Sequence, residues 1–307
     1  MKRGNKRWLV AFIAFLVVAV ISLAAIIIVN LRMNRADQAF EQLAQSVNAP
    51  GGAEGAGDTG TSDNNNIQTA PGDVSGNEAD DGIFYIDDQP YMHIEGYEGA
   101  VPYKNLDWDE LAEVNPDIYA WIYVPDTSVD YPILQHPTNN AYYLNYNIDG
   151  TYGFPGCIYT ENYNSKDFTD PNTLIYGHNM DDDTMFSTLH VFRDKAMVDE
   201  DHYIYIYTPD KVLVYEIFAA YEYPSHHLIL NYDYTNIFIY EQYLKNILNT
   251  PNLGVRVANV KSDIELTTDD RIVTLSTCTT DHDATKRFLV VGVLLNPGED
   301  MGPLFEE

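Results

Sequence analysis

The run Arg271-Ile272-Val273-Thr274-Leu275-Ser276-Thr277-Cys278 ends on a thiol, and nine residues later Arg287 opens a second apolar run, Phe288 to Leu295. β-Branched and aliphatic residues dominate both, which predicts two strands joined by the polar loop Thr279–Lys286. Paired antiparallel, they set Arg287 beside Cys278, whereas Lys286 points to the opposite face of the extended chain. A hundred residues before the thiol, Leu174-Ile175-Tyr176-Gly177-His178-Asn179 is a similar run that ends on a histidine. A strand end holds a side chain rigidly and leaves it open to a ligand, as a nucleophile and its acid/base partner require.

Working outward, further β-type runs precede this pair: Tyr119–Val124, Tyr131–Leu134, Cys157–Thr160, Asn172–Tyr176, Tyr203–Tyr207 and Lys211–Tyr221. Gly, Pro, Asn and Asp clusters punctuate them. Three helices are predicted: Asp107–Val114, a segment capped by Asp183 that carries Met185, Phe186, Leu189 and Phe192, and about Ile237 to Leu248. No internal repeat is visible. The expected fold is a mainly β barrel with helical insertions.

The N-terminus is of a different kind. Trp8 to Val29 is an apolar stretch of 22 residues whose one clearly polar member is Ser22. As a helix it spans about 33 Å, enough for a hydrocarbon core of about 30 Å. Ile26, Ile27, Ile28 and Val29 continue the run beyond Ala24-Ala25, so a retained anchor is expected rather than a cleaved signal. Lys2, Arg3, Lys6 and Arg7 precede the span, which predicts a single-pass plasma-membrane protein with residues 1–7 cytoplasmic, 8–29 in the membrane and the remainder extracellular. Met33 to Val47 carries Ala36, Phe40, Leu43, Ala44 and Val47 at helical spacing. Ser46 to Gly82 contains no aromatic residue and is dense in Gly, Asp, Asn, Ser and Thr, so residues 30–82 read as a juxtamembrane segment and disordered tether of roughly 33 Å span. Residues 83–307 then form one folded domain.

Charge divides the chain at the same place. Residues 1–35 carry six Lys/Arg and no acid, while the rest carries 11 Lys/Arg against all 46 Asp/Glu, for a net −29 overall. An external domain this acidic does not bind nucleic acid through a general basic surface. Two cysteines facing an oxidising exterior are too few for a disulfide-stapled domain, and pairing them would consume the proposed nucleophile. Cys157, in Gly156-Cys157-Ile158-Tyr159, reads as a buried strand residue.

Cys, His and Arg together suggest acyl transfer through a thioester. An imidazole beside a thiol raises its thiolate fraction and then gives a proton to the departing amine. Arg287 supplies fixed N–H donors for the oxyanion. Of the eight histidines His178 is the first choice, with His282, four residues from the cysteine, as its rival. His226-His227 lacks a further ligand at metal spacing and reads as a solvated turn. Asp181-Asp182-Asp183 lacks the alternation of a calcium loop and reads as a helix start. Neither metal nor organic cofactor is required. Ser276 and Tyr176, each two residues before a reactive side chain, share its strand face and are candidates to line a substrate site.

Thr274-Leu275-Ser276-Thr277-Cys278, Arg287 and the distant Tyr176-Gly177-His178 resemble the signature of the sortases, the Gram-positive cysteine transpeptidases. Asn115-Pro116-Asp117, Trp121-Ile122, Val124-Pro125, Asp130-Tyr131-Pro132-Ile133, the run Asn172 to Met180 and the helical insert Tyr234 to Leu248 are similar to class B members. The resemblance covers roughly residues 104–296. It implies an eight-stranded sortase-type barrel with Cys278 as nucleophile, His178 as acid/base and Arg287 as stabiliser. It also implies cleavage of a C-terminal sorting motif of secreted proteins after a Thr. The acyl group would pass to an amine of peptidoglycan precursor or of a pilin lysine. The alternatives on the same residues are a cysteine hydrolase and a non-catalytic surface binding module. The loop Thr279-Thr280-Asp281-His282 departs from the family pattern and leaves substrate preference open.

Overall fold

The computed structural model describes residues 4–48, 83–86, 89–281, 283–298 and 301–305. Strands β1 (Ile83–Ile86), β2 (Gln89–Ile94) and β3 (Tyr97–Pro102) form an antiparallel three-stranded sheet. The remaining strands are β4 (Ile118–Tyr123), β5 (Asp130–Leu134), β6 (Ile158–Thr160), β7 (Asn172–Tyr176), β8 (Tyr203–Tyr207), β9 (Val212–Pro224), β10 (Ala258–Val260), β11 (Ile272–Cys278) and β12 (Lys286–Leu294). They run in the order β10-β9-β12-β11-β7-β6-β5-β4-β8, and β8 pairs back onto β9. Eight strands therefore close into a barrel, with β10 added outside on β9. The long β9 makes closure feasible: Val212–Glu216 pair with β8, and Tyr215–Pro224 pair with β12. At the register shift between Val291 and Gly292 the ladder bends, and a Cβ on Gly292 would lie 2.9 Å from that of Tyr215.

Each of the eight barrel strands was legible as an apolar run. The small sheet β1–β3 and β10 were not, because short half-exposed strands carry little periodic signal. Helices Trp108–Val114 and Ile237–Asn249 form where expected, capped by Asp107 and Asn236. The third expectation is corrected. Asp183 caps nothing and has φ of 62°, while Asp182 accepts from the backbone and hydroxyl of Thr184 in a tight turn. A 3₁₀ helix begins only at Ser187 and runs to Arg193, and Met185, Phe186, Leu189 and Phe192 are buried all the same.

The N-terminal helix runs unbroken from Gly4 to Asn48, since neither Gly nor Pro occurs between residues 5 and 49. It is long and apolar enough to cross a membrane. Its last turns dock on the barrel. Ala36, Phe40 and Val47 are buried, and Phe40 meets Tyr131 edge-on at 5.5 Å. The Val47 carbonyl accepts from Asn105 N–H at 2.7 Å, and the Lys104 ammonium donates to Asn48 and Asp130 at 2.6 Å each. Residues 46–48, expected to open a tether, thus belong to a docked helix; the rest of that tether, residues 49–82, lies outside the described residues.

Strand alternation divides the interior into two cores. Ile175, Val273, Leu275, Phe288 and Val290 point into the barrel. Leu174, Ile272, Leu289, Val291 and Val293 point outward, beneath Tyr240, Tyr243, Leu244 and Ile247 of the insertion helix. Burial of the outward face by the insertion leaves one end of β7, β11 and β12 to form a cleft.

Candidate active site

The register places the reactive residues. β11 pairs parallel with β7 so that Ser276 faces Tyr176, and antiparallel with β12 so that Cys278 faces Arg287. Gly177 N–H donates to the Ser276 carbonyl at 3.1 Å, which carries the parallel pairing past the end of β7. Two residues beyond the Tyr176–Ser276 pair in sequence come His178 and Cys278, and both line one cleft. Gly177 permits that approach, because a Cβ there would lie 2.6 Å from Ile158 and Phe186.

Cys278, His178, Arg287, Ser276 and Tyr176 all line one cleft of about 270 Å³. Cys278 is a free, half-buried thiol. His178 Nε2–H donates to the Leu144 carbonyl at 2.7 Å, and Phe154 packs edge-on against the ring at 5.1 Å. A carbonyl only accepts, so the neutral ring carries its proton on Nε2 and its lone pair on Nδ1. Burial pushes the imidazole below its ordinary range; the Leu144 bond opposes this and the Arg287 charge adds to it. Arg287 Nη1 donates to the Lys286 and Ala284 carbonyls at 2.7 and 3.4 Å. Its Nε and Nη2 have no protein acceptor among the described residues.

The rival His282 lies outside the described residues. His226-His227 is corrected: His227 is no solvated turn but part of the cleft wall. His227 Nε2 lies 2.8 and 3.0 Å from the two carboxylate oxygens of Glu161. Tyr176 Oη–H donates to the same carboxylate at 3.3 Å and its ring stacks on Tyr159 at 5.4 Å. Glu161 follows β6 directly, so an acid at the end of an apolar strand was the available clue; nothing local to His227 announced the contact. His190 was also missed: its Nε2–H donates to the Cys278 carbonyl at 3.1 Å while its ring lies 4.7 Å from Phe288. Cys157 is fully buried as expected, one residue ahead of β6. Among the described residues no group of three or more His, Cys, Asp or Glu is placed to hold a metal ion.

An eight-stranded closed barrel with Cys, His and Arg gathered at the ends of three adjacent strands has the architecture of a sortase. The Sortase domain family matches residues 122–295, and the chain belongs to that family of cysteine transpeptidases. Its relatives place it in class B. It is 34% identical over 183 residues to sortase B of Listeria monocytogenes, covering 59% of this chain and 71% of that one. The crystal structure of Clostridium perfringens sortase B matches with a TM-score of 0.53 and 30% identity over 61% of this chain and 99% of the other. A Streptococcus pyogenes class B sortase involved in pilus biogenesis matches with a TM-score of 0.52 and 29% identity, over 62% and 98%.

Proposed function

We propose that this class B sortase is membrane-anchored through residues 8–29, with residues 1–7 cytoplasmic and its barrel external, and that it works on the C-terminal sorting motif of secreted proteins. The observation that carries the reading is the shared strand-end geometry: Cys278 faces Arg287 across one ladder and lines the same cleft as His178. His178 Nδ1 takes the Cys278 thiol proton as Sγ attacks the scissile carbonyl, forming the C–S bond while the oxyanion is held by Arg287. His178 gives a proton to the leaving amine as the C–N bond breaks. It then takes one from the incoming amine, whose nitrogen displaces the thiol and restores Cys278. Ser276 and Tyr176 line the channel for the peptide. The incoming amine belongs to a peptidoglycan precursor or to a pilin lysine; the pilus-associated relative supports the second source.

The test uses the full chain in detergent micelles, because truncation at residue 83 would strip the docked helix from the barrel. Incubated with a library of sorting peptides, with and without amines, it is expected to give a thioester on Cys278 and a product that depends on amine. Peptide hydrolysis at an equal rate with and without amine would make it a hydrolase instead. An alkylatable Cys278 that forms no adduct would favour a binding module.

A further inference from the structure

The catalytic sequence above leaves one cluster in the cleft unused. Glu161 is the one acid among the residues lining it, and its side chain is only 12% exposed. Antiparallel pairing of β6 with β7 sets Tyr159 opposite Tyr176 and Thr160 opposite Ile175, so Glu161 emerges beside β7. Two donors already hold its carboxylate, Tyr176 Oη at 3.3 Å and His227 Nε2 at 2.8 Å. A carboxylate offers about four lone-pair positions, so room for further donors remains. An acceptor-only group of this kind gains from an N–H donor and is repelled by a second carboxylate. Arg287, at the Cys278 side of the same cleft, has the opposite preference. The cleft is therefore polarised, positive beside the thiol and negative at Glu161.

Resting on the transpeptidase reading, we infer that Glu161, held by Tyr176 and His227, is a specificity-determining subsite for an N–H donor, an ammonium or a carboxamide, carried by a reactant. The donor is either a side chain of the sorting peptide or the incoming amine. His227 is the resident partner that a cationic reactant displaces or competes with.

The two half-reactions separate the sources. Sorting peptides are scanned at each position with Lys, Gln, Ala and Glu, and thioester formation on Cys278 is timed. Thioester breakdown is then timed with amines that differ in a second positive charge. In the native protein at least one position, or one class of amine, is expected to show a tenfold or greater preference for the donor-bearing group over its carboxylate counterpart. Glu161→Gln, which keeps the shape and one acceptor, is expected to collapse the preference for Lys over Glu to within about twofold. His227→Gln should move it the other way by freeing the carboxylate, and serves if Glu161→Gln folds poorly. A merely structural role would lower rates for all reactants alike and leave the ratio unmoved, which would overturn the proposal. If no peptide acylates Cys278, the functional reading fails on its own. The subsite is then read from Cys278 modification by cationic and anionic methanethiosulfonates of equal size. The cationic-to-anionic rate ratio should drop severalfold in Glu161→Gln, and an unchanged ratio sinks the inference.

Discussion

The chain carries two thiols at strand ends, and their surroundings could hardly differ more. Cys157, just before β6, is fully buried and donates weakly to the Tyr146 carbonyl at 3.5 Å; burial pushes its thiol well above the ordinary range. Cys278, at the end of β11, is half-buried in a cleft that also contains His178 and Arg287. The residue type is the same, but Cys157 precedes the first residue of β6 and Cys278 is the last of β11. What surrounds the side chain separates a core residue from the proposed nucleophile.

Substitution tests that contrast most directly. Cys278→Ala is expected to lower turnover at least about a thousandfold while moving the thermal midpoint by no more than about 2 °C. Cys157→Ala should do the reverse, keeping activity within about twofold and costing about 1 kcal/mol in denaturant unfolding. Equal effects of the two on activity would erase the distinction. Arg287→Ala is expected to lower kcat/KM by about 10²–10³, with Arg287→Lys recovering only part, since an ammonium lacks the planar fork. Full activity in Arg287→Ala would move the oxyanion site elsewhere. Iodoacetamide at pH 7.5 should label Cys278 about a hundredfold faster than Cys157, which reacts only on unfolding; peptide mapping reads both.

The smallest effects are on stability against pH. His178 and His190 are both depressed first by burial, so each favours the neutral fold. Their contribution is fully present above the unfolded imidazole value of 6.5 and is lost as pH falls below it, because the unfolded chain then takes up protons that the fold refuses. Cys157 has the opposite sign. Its raised value leaves stability intact below the unfolded thiol value of 9.0 and erodes it above. The midpoint should fall by about 2–4 °C at each end, less at low pH in His178→Gln and less at high pH in Cys157→Ala. Unchanged slopes in those variants would assign the losses to other groups.

Docking of the N-terminal helix offers a second contrast with the sequence. Ala36, Phe40 and Val47 lie at helical spacing and were legible as a helix, but their partners were not. Asn105, Lys104, Asp130 and Tyr131 come from chain segments more than fifty residues away. The turn at Asp181-Asp182-Asp183 was misread for a related reason. A side chain that can cap a helix can equally close an Asx turn, and the burial of Met185 and Phe186 in the barrel decided between them.

Sequence alone determined the eight barrel strands, the apolar N-terminal span and the hairpin that sets Arg287 beside Cys278, because period-two alternation and apolar length are local properties of the chain. His178 joined them through the family resemblance. Only the tertiary structure decided that Glu161 meets His227, that His190 holds the Cys278 backbone, and that residues 36–48 rest on the barrel. Each of those contacts joins segments 56 to 91 residues apart. Contacts over such separations are set by how the loops close over the barrel, and no local pattern records that closure.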